Sequence, residues 1–311
     1  VTMSTASEND RHVVKVTAPA TGQISTHDLS IIAAAASKIC IDADGNNSKL
    51  IVDLELPDAE IGVGALCALS AIIGAATRGG GPFVNIVPSV CASSSTESSV
   101  DTKGEASDGC APSHATTNNI FSASKVPVGC TLPQNHVAVG GTFDRLHAGH
   151  RLLLSSAAVC TREKLYIGIT GDSMLLSKSN NNLLQPFADR RDAVLKYVNQ
   201  VAPALPVDVS ELVAGKQPLA GTMEGMNAIV VSAETEGPCG GINNFRKDLG
   251  FAPIHIIVCD LIGATSSNED DSADKEENES EKHHGPSTWP KLSSSHLRAL
   301  HASDCFTNDS N

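Results

Sequence analysis

An apolar run, Val137-Ala138-Val139, breaks into Gly140-Gly141-Thr142-Phe143-Asp144-Arg145-Leu146-His147-Ala148-Gly149-His150 and then into a helical pattern from Leu152 to Val159. A strand that ends in glycines and turns straight into a helix gathers backbone N–H groups and the positive end of a helix in one place. That is a geometry for binding phosphate. His147 and His150 stand at the helix entrance about one turn apart, since a turn takes about 3.6 residues. Both imidazoles can therefore reach one anionic group, and residues 140–150 are the stretch that decides function.

The rest of the chain follows the same strand–helix alternation. Val13 to Val16 reads as a strand, 29–41 as a helix, Leu50 to Leu54 as a strand, 61–76 as a helix and Phe83 to Val87 as a strand. This βαβαβ order implies parallel pairing, because a helical crossover returns the chain to the same end of a sheet. No catalytic motif stands out within it. From His136 the alternation resumes, with strands at 137–139, 165–170, 207–212, 228–232 and 254–259 and helices at 149–160, 189–200, 241–248 and about 294–301. The expectation is a doubly wound α/β domain over 134–306, whose ligands bind at the carboxyl ends of the strands. A smaller α/β domain of unassigned role precedes it over 1–90. Residues 91–133, rich in Ser, Thr, Gly and Ala, read as a disordered linker that cannot bury enough apolar surface to offset chain entropy. Residues 264–287 read as a solvated acidic loop.

Composition narrows the function classes. The net charge of −13 argues against a general nucleic-acid binder. More than half of it comes from one segment, Glu269 to Glu281, with eight acids against one lysine. Nine cysteines lie scattered, none in CxxC spacing, several in apolar runs. They read as reduced structural thiols of a cytosolic protein. Ile61 to Thr77 carries no charge, but its glycines and serine make it a buried helix rather than a membrane span. No secretory signal is read, and the start at Val1 leaves a natural N-terminus or targeting segment open.

Three further clusters fall where a ligand site of such a domain would lie. Lys178 follows the strand 165–170 and could bring a mobile cation over a phosphate, or be a plain surface lysine. Arg190 and Arg191 open the helix after Pro186-Phe187, as ligands or as helix-face residues. Ser293-Ser294-Ser295 precedes the last helix, where hydroxyls suit phosphate or simply cap. The HxxH pair could hold a metal, but no third ligand sits at a familiar zinc spacing, so no metal site is assigned.

Taken together these residues resemble the nucleotidylyltransferase superfamily, whose GxFDxxHxGH signature is matched by Gly140 to His150. Within it the chain is similar to phosphopantetheine adenylyltransferases of the eukaryotic and archaeal type, including the corresponding part of bifunctional coenzyme A synthase. The matching pieces are Gly140 to His147, Leu184-Gln185-Pro186-Phe187, Val230 to Thr235, Ile242-Asn243-Asn244-Phe245-Arg246 and Ser293 to Ser295. The resemblance implies a Rossmann-like nucleotidylyltransferase fold and transfer of AMP from Mg²⁺-bound ATP to 4′-phosphopantetheine, giving dephospho-CoA and pyrophosphate. It implies His147, His150 and Lys178 as catalytic residues. Gly140, Gly141, Thr142, Phe143, Arg190, Arg246, Ser293, Ser294 and Ser295 are implied as substrate and ATP contacts. Its partners are those two substrates, with no nucleic acid and no membrane span.

Two departures stand beside the resemblance. Glu236-Gly237-Pro238-Cys239 replaces a segment where relatives often place Tyr and a basic residue. No Gly-Lys-Ser/Thr P-loop follows residue 301, so the kinase half of bifunctional relatives is not represented after that point. A cytidylyltransferase acting on phosphocholine or phosphoethanolamine, and a non-catalytic nucleotide-binding scaffold, remain the alternative readings. Lys291-Leu292-Ser293-Ser294-Ser295 stands where such cytidylyltransferases carry Arg-Thr-Glu-Gly-Ile-Ser-Thr.

Overall fold

The computed structural model describes residues 2–4, 11–17, 23–37, 49–56, 63–81, 85–92, 125–178, 180–259, 261–262, 293–295 and 297–299. They form two sheets. In the first, β2 (Arg11–Thr17), β3 (Lys49–Leu56) and β4 (Ile86–Ala92) pair in parallel in chain order, and β1 (Thr2–Ser4) adds antiparallel to β2. The connecting helices are α1 (Thr26–Ala36) and α2 (Val63–Gly80). Ser25 caps α1, its hydroxyl accepting from the Asp28 N–H at 3.1 Å. The expected βαβαβ order is present, while β1 had no signal in the sequence. β4 starts later than expected and runs through Pro88, which an edge strand tolerates because its outer side needs no N–H for pairing.

The second sheet is wholly parallel, in the order β7-β6-β5-β8-β9. Its strands are β5 (Gln134–Gly141), β6 (Thr161–Thr170), β7 (Val207–Leu212), β8 (Ala228–Ser232) and β9 (His255–Cys259). The chain builds outward from β5 to β7, then returns to place β8 on the other side of β5. That reversal makes this sheet doubly wound, with its crevice at the carboxyl ends of β5 and β8. β6 begins four residues earlier than its apolar pattern suggested, because Arg162, Glu163 and Lys164 hide a strand end that protrudes into solvent.

Period-two alternation divides the strands between two faces. Val137, Val139, Leu165, Ile167 and Val230 pack under α3 (Ala148–Val159) and α4 (Phe187–Val201). Ala138, Ile229, Val231 and Val258 pack on the other face with Ala220 of α5 (Leu219–Thr222) and Ile242 of α6 (Glu236–Asp248). α6 opens five residues before the expected 241, since Pro238 falls in the first turn, where its missing N–H is not needed.

α2 is apolar all round and is accordingly buried, meeting α1 on one side and α3 on the other. It is the charge-free stretch noted in the sequence, and no helix among the described residues is long and apolar enough to cross a membrane. Of the expected linker, residues 93–124 lie outside the described residues. Its ends carry structure: β4 reaches Ala92, and Lys125 exchanges two backbone hydrogen bonds with Val258 along β9. The acidic stretch 264–287 also lies outside the described residues.

Candidate active site

The signature occupies the loop from β5 into α3. Phe143 and Arg145 both adopt positive φ, 53° and 48°. Non-glycine residues tolerate this only when their surroundings hold them there. Phe143 is held by complete burial. Arg145 is held by its N–H donating to Gln185 Oε1 at 2.6 Å and its guanidinium donating to the Leu183 carbonyl at 3.1 Å. Gly141 lies against the Phe143 ring, and a Cβ there would come within 3.1 Å of it.

His147 is the N-cap of α3, its Nδ1 accepting from the Gly149 N–H at 3.2 Å. A Cβ at position 149 would meet the imidazole at 3.1 Å, so the glycine between the histidines lets the ring fold back over the helix end. With Nδ1 an acceptor, the proton of the neutral ring sits on Nε2. Nε2 lies 3.3 Å from Ser294 Oγ, which in turn donates to the Asp144 carbonyl at 3.1 Å. His150 stacks on His147 with ring centroids 3.9 Å apart and leans on Phe143 at 5.4 Å. Its Nδ1 is buried with no hydrogen-bond partner. Burial pushes the His147 pKa down to about 4, with Asp144 opposing the shift and Arg151 adding to it. His150 is lowered well below the usual value, by burial first and then by His147. Both rings are neutral near pH 7, and the same-face placement expected from the spacing is present.

Asp144 is the hub beneath them. Its carboxylate, fully buried, accepts from the Gln185 N–H at 3.0 Å through one oxygen and from Arg298 Nη1 at 2.8 Å through the other. Arg298 Nη2 donates to Ser295 Oγ at 3.1 Å. One carboxylate thus ties three segments together: the signature loop, the turn before α4 and the helical residues 294–295 and 297–299. None of this was assigned from sequence. The one acid of the loop, set directly after Phe143, was the available signal, since a buried carboxylate demands a cation.

The remaining expected residues divide. Gly140, Gly141, Thr142, His147, His150 and Ser293 to Ser295 converge at the carboxyl end of β5. Lys178 is exposed on the loop that follows β6, on the same edge of the sheet. Arg190 and Arg246 are corrections. Arg190 is fully buried and spends its donors on the carbonyls of Gln185, Thr142 and Thr170 and on Asp172, at 2.6 to 2.9 Å. It braces the ends of β5 and β6 from within and presents no free face to a phosphate. Arg246 is also fully buried, donating to the carbonyls of Ala252, Ala220, Met223, Glu224 and Met226. Those residues precede β8 and β9, at the edge of the sheet opposite the site. Arg191, on the surface, pairs with its neighbour Asp192 at 2.9 Å. Glu236, in the segment that departs from the family pattern, starts α6 and pairs with Lys125 at 3.4 Å.

A parallel sheet with a switch point, a glycine-ended strand, a stacked imidazole pair at a helix start and a cation on the neighbouring loop define a nucleotide-handling α/β protein. The cytidylyltransferase-like family model matches residues 138–299. Phosphopantetheine adenylyltransferase of Methanopyrus kandleri is 38% identical over 128 residues, covering 40% of this chain and 78% of that protein. The enzyme of that name from Pyrococcus furiosus is 34% identical, with 40% and 77% covered. That of Saccharomyces cerevisiae is 33% identical over 40% of this chain, and the match spans only 41% of the yeast protein's length. The chain belongs to the cytidylyltransferase-like family of nucleotidyltransferases, and within it to the phosphopantetheine adenylyltransferases. The N-terminal sheet lies outside the matched region.

Proposed function

We propose that this protein transfers the adenylyl group of ATP to 4′-phosphopantetheine, and the observation that carries the reading is the stacked, neutral His147–His150 pair at the entrance to α3. A phosphate oxygen of phosphopantetheine attacks the α-phosphorus of ATP. The new P–O bond forms as the bond to the β-phosphate oxygen breaks, and pyrophosphate leaves with the electron pair. No covalent enzyme intermediate is needed. The work is positioning and stabilisation of the charge that builds on the α-phosphoryl oxygens.

The helix cap holds the His147 ring, and its Nε2–H, 3.3 Å from Ser294 Oγ in this structure, passes to a phosphate oxygen without the ring turning. His150 is held against it by the ring stack and by its contact with Phe143. Thr142 lies beside the attacking phosphate, Lys178 brings a mobile ammonium between the two substrates, and Ser293 to Ser295 face the β- and γ-phosphates. Gly140 and Gly141 end β5 beneath the phosphates, and Gly141 leaves room for the Phe143 ring that holds the loop. Arg190 supports the loop ends rather than the ligand.

The donors at the site are imidazole, hydroxyl, ammonium and backbone N–H groups, a set suited to anions. The carboxylate that acts on His147, Asp144, is already occupied by Arg298. Among the described residues no group of three or more His, Cys, Asp or Glu could hold a metal ion. Mg²⁺ enters this reading as part of the substrate, complexed to the ATP phosphates, and no residue of this chain is assigned to it.

Incubation with ATP or CTP, each paired with phosphopantetheine or phosphocholine, tests the reading through pyrophosphate release. Release from ATP with phosphopantetheine alone is the expected result. Release from CTP with phosphocholine would replace it with the cytidylyltransferase reading, and silence in every pair would leave a nucleotide-binding scaffold.

A further inference from the structure

We propose that the N-terminal α/β unit is a working part of the active site: Asn85, at the entrance to β4, positions the first turn of α3, and with it His147 and His150, by holding Arg151. The reading rests on the proposed reaction for its kinetic consequence, while its structural consequence stands independently.

Arg151 follows His150 directly in α3. Its Nη1 donates to Asn85 Oδ1 at 2.7 Å, across the boundary between the two sheets. Asn85 is itself fixed in the N-terminal sheet, where its carbonyl accepts from the Leu50 N–H at 2.9 Å. On the other side the guanidinium lies over the Tyr197 ring at 5.0 Å, and Tyr197 shares a hydrogen bond of 2.9 Å with Ser155 one turn further along α3. The cation is therefore gripped from the N-terminal unit and from α4 at once.

Packing runs the same way. Ala148, Leu152 and Val159 belong to the apolar cluster of the N-terminal unit, together with Leu69, Ile72 and Ile73 of α2. Leu66 of α2 in turn belongs to the core of the second sheet. Positions 148, 151, 152, 155 and 159 form one stripe of α3, by helical spacing, and that stripe faces away from the helix's own sheet. A helix gripped by its own sheet on one face and by α2 and Asn85 of the N-terminal unit on the opposite face cannot shift or rotate freely. Its first turn carries both histidines, and misplacement of such groups by about 1 Å can cost on the order of 10²-fold in rate. Arg151 also reaches His147 electrostatically, its positive charge helping to keep that ring neutral.

The test uses Asn85→Ala and Asn85→Asp in the full chain. Asn85→Ala should lower kcat for pyrophosphate release about tenfold, with the KM for ATP within about twofold of wild type. Asn85→Asp should restore it, because a carboxylate accepts from the same guanidinium. The deciding readout is the set of His147 and His150 ring resonances in the free protein. They should move in Asn85→Ala and return in Asn85→Asp. Arg151→Lys, which keeps the charge and loses the fork, should reproduce the shift and serves if Asn85→Ala does not fold. Ring resonances of Asn85→Ala that superimpose on wild type would overturn the proposal. If the wild-type protein releases no pyrophosphate from ATP and phosphopantetheine, the proposed reaction fails, and the ring resonances still decide the coupling.

Discussion

The two sheets of this protein share one grammar and differ in what stands at their strand ends. Both are built from parallel strands joined by helices. In the N-terminal sheet β2, β3 and β4 follow one another in a single direction, so no reversal opens a crevice. Its core is apolar, from Val14 and Val16 to Leu50, Val52 and Leu54, with the hydroxyls of Ser70 and Thr77 as its buried polar groups and no buried charge among the described residues. In the second sheet the return from β7 to β8 opens a crevice beside β5, and buried Asp144, His147, Arg190 and Arg298 are gathered there. The comparison teaches that parallel βα units supply a scaffold, while the switch point and the charges buried beneath it supply the chemistry.

The contrast is sharpest where a buried charge is stranded. Arg298→Met leaves the Asp144 carboxylate in the interior without its cation, which costs about 3–5 kcal/mol of stability. Urea unfolding should show that loss together with a fall in turnover, and a change under about 1 kcal/mol would mean the pair is not the anchor of the site. His150→Ala should lower kcat on the order of 10²–10³-fold, or about 3–4 kcal/mol in barrier, with ATP binding largely kept. Near wild-type pyrophosphate release from that variant would break the assignment of chemistry to the imidazole pair.

Acid should distinguish the sheets next. The His147 pKa in the folded chain, about 4, lies below the ordinary value of 6.5 that the unfolded chain regains. Between those values the unfolded chain binds the extra proton, so stability is full above pH 6.5 and declines as pH falls toward 4, by about 3 kcal/mol over the whole window. His147→Asn, whose amide oxygen can still cap α3, should remove the His147 share of this slope in unfolding titrations from pH 7.5 to 4, leaving the share of His150, which burial also lowers. An unchanged slope would place the loss elsewhere. The smallest effect belongs to the apolar sheet. Val52→Ala, at a fully buried position of β3, should cost about 2 kcal/mol. Turnover of the folded protein should stay within about twofold, and a selective loss of kcat would blur the division between the two sheets.

Much of the scaffold was legible from local pattern. The strands 207–212 and 228–232 match the apolar runs residue for residue, and α3 starts within one residue of its expected place. Errors fell where local chemistry misleads. Charged residues open β6, Pro88 sits inside β4, and Gly237 and Pro238 sit inside the first turn of α6. Each is tolerated for a reason of position, at a solvent-exposed strand end, a sheet edge or a helix start, and position of that kind is not written in a short window of sequence.

The sequence by itself determined the strand–glycine–helix turn, the pairing of two histidines on one helical face and the family to which they point, because all of these are short-range properties of spacing and residue type. Only the tertiary structure decided the fate of the arginines. Arg190, Arg246 and Arg298 carry the same donors; the first two were expected at the phosphates, and the third had no assigned role. One proved to brace two strand ends, one to staple the far edge of the sheet, and one to neutralise a carboxylate 154 residues away in the chain. A guanidinium takes its role from whichever acceptors the fold brings around it, and those acceptors come from segments too distant along the chain for any local pattern to register.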